Sequence, residues 1–76
     1  MEIKPGQEYS HYKNPKRFYE IIGVAKNSET LEEMVIYKAL YSDEFPFGQL
    51  WARPKSIFLE KVRHKSAEVP RFRLKK

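Results

Sequence analysis

Seventy-six residues carry 15 Lys and Arg against 10 Asp and Glu, a formal net charge of +5, with 41% hydrophobic and 14% aromatic side chains. That length holds one compact domain over residues 1–76 with a core over about 6–74, and the aromatic content excludes a disordered chain. With no Cys, disulfides and thiolate metal sites are excluded as staples, so a total stability of about 4 to 11 kcal/mol must rest on packing.

Pro5-Gly6 is a turn pair, and Glu8 to Lys13 reads as a short strand of mixed polarity broken at Asn14-Pro15. Phe18 to Ala25 is the first strongly β-prone run. Alternation places Phe18, Glu20, Ile22 and Val24 on one face and Tyr19, Ile21, Gly23 and Ala25 on the other. A Gly inside a strand marks a bend, so the sharpest curvature is expected at Gly23, which favours a barrel over a flat sheet.

Asn27 to Tyr41 supports two structures. Thr30 with Glu33 matches a capping box, and Leu31, Met34, Val35 and Lys38 fall at helical spacing. Val35-Ile36-Tyr37 is a β-branched and aromatic run whose alternation groups Val35, Tyr37, Ala39 and Tyr41 against Met34, Ile36, Lys38 and Leu40. Local rules do not separate the two. Ser42 to Gly48 reads as a loop, Gln49 to Arg53 as a strand stopped by Pro54, and Pro54 to Ile57 as a helical or 3₁₀ turn begun by proline. Phe58, Glu60 and Val62 alternate with Leu59, Lys61 and Arg63 into a charged loop at His64 to Glu68. In the last strand Phe72 and Leu74 point away from Arg71, Arg73 and Lys75.

The series His11-Tyr12-Lys13, Tyr19 to Ala25, Ser28-Glu29-Thr30, Val35 to Tyr41, Leu50 to Pro54 and Phe58 resembles a bacterial domain of unknown function, number sixteen fifty-three. The likeness covers about Gly6 to Leu74. It implies an all-β fold, a small SH3-type barrel or β-roll of five or six short antiparallel strands with one short helical turn, and therefore a third strand over Met34 to Tyr41. The family commonly has Pro where Glu33 stands, which would end a helix there. It implies no activity. Asn27 replaces a frequent His, and Asn14-Pro15-Lys16-Arg17 lengthens the first turn relative to a Lys-Gly hairpin.

A shell this small encloses less space than its rings occupy. Some of Tyr12, Tyr19, Tyr37, Tyr41, Trp51 and Phe58 therefore face outward. The expected function is a non-catalytic binding module that recognises a peptide or protein in an aromatic and Arg-lined groove of Tyr12, Tyr37, Tyr41, Trp51 and Arg53. Arg53 alternatively pairs with Glu29 or Glu20, and Ser28-Glu29-Thr30 reads as a turn or cap. The other candidate is a nucleic-acid-binding accessory domain using Lys16, Arg17, Lys61, Arg63, Arg71, Arg73 and Lys75, with Lys26 and Lys76 nearby in charge pattern. On an edge strand the same cations act only against edge-to-edge pairing.

Two His without Cys make no metal set, no Gly-rich loop matches a phosphate cradle, and His11, Ser28 and Glu29 follow no catalytic spacing. No cofactor and no enzymatic activity are expected. No apolar run approaches a membrane span of about 20 residues and no leader is visible, so a cytoplasmic setting is expected, as monomer or homodimer without a membrane partner.

Overall fold

The computed structural model describes residues 2–75. Seven strands and one helical turn follow in order: β1 (Glu8–His11), β2 (Asn14–Lys26), β3 (Glu33–Ala39), β4 (Leu50–Pro54), α1 (Lys55–Phe58), β5 (Lys61–His64), β6 (Ala67–Pro70) and β7 (Phe72–Leu74). A five-stranded antiparallel sheet runs β4-β3-β2-β1-β7, and β5 pairs with β6 alone. The expected all-β antiparallel fold stands, while the expected five or six strands of one small barrel are seven strands that close no barrel among the described residues. Among the described residues the ladders form an open sheet and a separate hairpin.

The ambiguous segment is a strand. Val35, Tyr37 and Ala39 are buried on one face of β3, so packing on a sheet overrides the capping signal at Thr30. The loop before it, residues 27–32, is organised by Asn27, whose Oδ1 accepts from the backbone N–H of Glu29 at 2.9 Å and of Thr30 at 3.3 Å. This satisfies the turn expected for Ser28-Glu29-Thr30. The would-be capping oxygen of Thr30 accepts from the N–H of Glu32 at 3.2 Å.

Two irregularities bend β2. Ile21 pairs with Tyr37 but Gly23 pairs with Ile36, so Ile22 is an extra residue. This bulge stands beside the Gly where curvature was expected. Nearer the start, Ser10 pairs with Phe18 while His11 pairs with Asn14. The connection is therefore a tight turn at Tyr12-Lys13, and Pro15, Lys16 and Arg17 bulge out of the ladder instead of lengthening the turn. Proline has no N–H to give a ladder, and a bulge asks for none.

The expected charged loop at His64 to Glu68 is also corrected. Lys65 and Ser66 have φ of +52° and +66°, the left-handed pair of a tight hairpin turn, and Ala67 to Pro70 returns as β6. Such turns usually announce themselves with Asn or Gly. Lys-Ser does not. The chain then changes ladders at Arg71, whose N–H donates to the Glu60 carbonyl at 3.0 Å and whose carbonyl accepts from the Tyr12 N–H at 3.0 Å.

The core is Ile3, Tyr9, Ile21, Val35, Tyr37, Phe58 and Phe72. It thus reaches back before residue 6. Tyr9 is fully buried, though its strand looked mixed in polarity. Phe58, delivered by α1, stacks on Phe72 with centroids 4.2 Å apart and 6° between planes. Tyr9 and Tyr37 meet Phe58 edge-on at 5.2 and 5.5 Å, the offset and T-shaped arrangements that ring quadrupoles favour.

Candidate functional site

Cross-strand register assembles a cleft on the inner face. Trp51 lies opposite Tyr37, and Arg53 lies opposite Val35. Because side chains alternate, Trp51 and Arg53 leave β4 on the side to which β3 sends its core residues. β2 adds Tyr19 on that face, opposite Ala39. The Tyr12-Lys13 turn contributes His11, Lys13 and Asn14 as a rim, and Phe72 lies at the floor of a concavity of about 260 Å³.

The Arg53 guanidinium sits over the Phe72 ring, 5.4 Å from its centroid. Burial raises the Tyr37 hydroxyl above its ordinary pKa, while the charge of Arg53 and its hydrogen bond to that hydroxyl pull the other way. Tyr19 and Tyr41 share a 2.6 Å hydrogen bond between hydroxyls. Burial first, and that bond second, push the Tyr19 hydroxyl far up. Tyr19 and Tyr37 therefore stay neutral at physiological pH.

His11 is held tightly. Its ring lies 4.7 Å from Tyr12 and meets Phe72 edge-on at 5.1 Å, and its Nδ1 accepts the Lys13 backbone N–H at 3.2 Å. In the neutral ring the proton is therefore on Nε2, a donor. Burial, then the charges of Arg53, Arg71 and Lys13, lower its proton affinity.

Of the five groove residues expected from sequence, Tyr37, Trp51 and Arg53 come together here. Tyr12 faces a different hollow, of about 140 Å³, shared with Pro15 and His64. Tyr41 stands beside the cleft through Tyr19 and carries the Arg17 guanidinium on its ring at 4.8 Å. Glu20, one expected partner of Arg53, is taken by Lys38 at 3.5 Å. Among the described residues Arg53 has no carboxylate partner. Tyr19, His11, Lys13 and Phe72 were missed as site residues. Alternation with Ile21 was a signal for Tyr19, whereas the others arrive only through the register of β1 with β7.

The seven cations of the alternative site are dispersed. Arg17 pairs with Asp43 at 3.0 Å, Arg71 with Glu60 at 2.7 Å and Lys75 with Glu8 at 3.4 Å. Lys61 and Arg63 lie on the separate hairpin, Arg63 opposite Glu68. Arg73 and Lys16 are exposed, and β7 ends the sheet, where such charges oppose further strand pairing. Lys76 lies outside the described residues. No three metal-ligating side chains converge among the described residues.

Fold and cleft define a small antiparallel β module whose inner face opens between β4 and the first turn. The sequence profile of the protein family of unknown function DUF1653 matches residues 7–74, and the chain belongs to that family. A crystal structure of a DUF1653 protein from Bordetella bronchiseptica is similar to it. Identity is 32% with a TM-score of 0.78, over 95% of this chain and 86% of that one. No curated protein matches the chain. Among the described residues no helix is long and apolar enough to cross a membrane.

Proposed function

We propose that this chain is a non-catalytic binding module that takes an extended peptide or protein segment into the cleft of Tyr19, Tyr37, Trp51 and Arg53. The observation that carries the reading is a guanidinium without a carboxylate partner among the described residues, set over one ring and beside Trp51 in a concavity. Aromatic walls with one planar donor suit an extended chain, because stacking supplies affinity and the fork supplies orientation. β4 also ends the five-stranded sheet, so a partner strand can add beside it. The bent sheet and the helical turn after β4 support kinship with SH3-type barrels, an analogy of fold only. A Cys-free chain suits the reducing cytoplasm.

Intrinsic fluorescence tests it directly, because Trp51 is the sole Trp. Titration with a peptide library should shift its emission, and Trp51→Ala should abolish capture of the same peptides while the melting transition persists. Capture that survives Trp51→Ala, Arg53→Gln and Tyr19→Phe alike would end the proposal. The nucleic-acid reading is weaker, since Arg17, Arg71 and Lys75 are already paired with carboxylates. It predicts oligonucleotide affinity with a steep salt slope.

A further inference from the structure

The geometry points to a carboxylate, carried by a peptide beside a flat apolar group, as the ligand of the cleft between β4 and the Tyr12-Lys13 turn. This rests on the peptide-binding reading above and specifies what part of the peptide is recognised.

Three observations converge on it. First, the ionisable groups besides tyrosine that line the hollow are Arg53, Lys13 and His11, and no Asp or Glu is among the lining residues. By contrast Lys4, Arg17, Lys38, Lys55, Arg71 and Lys75 each stand within 3.6 Å of a carboxylate. The Lys13 ammonium lies 5.9 Å from the Tyr12 ring centroid, so Lys13 adds charge from the edge of the hollow that Arg53 lines, and both attract an anion.

Second, the remaining polar atoms at the rim are donors or can serve as donors. The Lys13 N–H occupies Nδ1 of His11, which leaves Nε2–H to donate. Asn14 adds an amide at the same rim, and Arg53 offers a planar fork whose geometry matches a carboxylate. The groups around His11 are cationic on three sides: Arg53 from β4, Lys13 from the turn, and Arg71 from the β6–β7 junction, the last neutralised by Glu60.

Third, the wall beside these donors is flat and apolar. Trp51 is half-buried, with Phe45 edge-on at 5.1 Å. A free inorganic anion gains nothing from such a wall. A phenylalanine or leucine next to a carboxylate does.

The test uses the full 76-residue chain and the emission of Trp51, at constant ionic strength and pH 7.5. Four probes are titrated: acetyl-Gly-Phe-Glu-Gly-amide, its Gln counterpart, acetyl-Gly-Phe with a free terminal carboxylate, and inorganic phosphate. One or both carboxylate peptides should bind at least about tenfold more tightly than the Gln peptide, and which of them does so separates side-chain from terminal recognition. Arg53→Gln should weaken the better peptide about tenfold or more. Lys13→Gln, on an exposed turn where folding is not at stake, should weaken it about two- to fivefold. Each change should weaken the Gln peptide less than it weakens the carboxylate peptide.

Binding of both carboxylate peptides no tighter than that of the Gln peptide overturns the inference but leaves the peptide cleft standing. Silence from all three peptides overturns both. Phosphate binding alone, or phosphate as tight as the carboxylate peptides, also overturns it, because the apolar wall would then play no part.

Discussion

The aromatic side chains form two groups that share a residue type and differ in what closes over them. At the sealed end, Phe58 lies flat on Phe72 while Tyr9 and Tyr37 meet it edge-on, all four buried. At the open end, Tyr19, Tyr41 and Trp51 are half-buried and present polar handles, two hydroxyls bonded together and a Trp flanked by Phe45. The difference is α1. One helical turn carries Phe58 over the first group, and among the described residues no helix or strand covers the second, where the side chains of Arg17 and Phe45 lie against Tyr41 and Trp51. Position under a lid, more than ring chemistry, decides which aromatics become core and which become wall.

Removing the lid should break the comparison most severely. Phe58→Ala should cost about 3 to 5 kcal/mol, a large share of the stability of about 4 to 11 kcal/mol expected for this length. Urea melts followed by circular dichroism would register it as loss of most or all of the folded baseline. A Phe58→Ala protein that melts near the parent would show that α1 seals nothing.

The open end should answer more gently. Tyr41→Phe deletes the 2.6 Å bond to Tyr19, and about 1 kcal/mol is the usual net worth of such a bond. The same melts should show that shift with no change in slope. On the separate hairpin, Ser66→Gly relieves a positive φ and should stabilise by about 0.5 kcal/mol, the small balance of relieved strain over added chain entropy. A loss of stability would mean that Ser66 holds the turn by something other than its backbone.

The finest probe is pH, through His11, which touches Phe72 of the sealed group and rims the open cleft. Its folded pKa lies below the unfolded value of 6.5, so the unfolded chain binds the proton more readily. Stability is then full above about pH 6.5 and falls as pH drops toward the folded pKa. His11→Gln should flatten that slope in melts taken from pH 7.5 downward. A slope unchanged by the substitution would remove His11 as its source.

Much of the sheet could be read from residues alone. The alternation of Val35, Tyr37 and Ala39, the stop at Pro54 and the outward Arg73 and Lys75 each follow from one local rule and stand where that rule puts them. Tyr9 could not be read so, because its burial depends on Tyr19 and Leu74 lying opposite it. Nor could the β5–β6 hairpin, whose turn residues violate the usual preference. The cleft divides the same way. Tyr37, Trp51 and Arg53 belong to adjacent strands, so alternation alone groups them, whereas His11 and Phe72 meet only after a chain of 60 residues closes. Tyr12, though aromatic and next to His11, lies in the turn after β1 and lines the other hollow with Pro15 and His64.

Ile22 separates connectivity from shape. Without it, Ile21 would still face Tyr37 and Gly23 would still face Ile36, so the inventory of partners would survive its deletion intact. What would go is the local twist that an unmatched residue imposes on its strand, and the sheet would straighten where it now wraps toward the aromatic wall. One residue with no counterpart thereby sets the bend of β2 beside Tyr37 without adding a partner to the ladder.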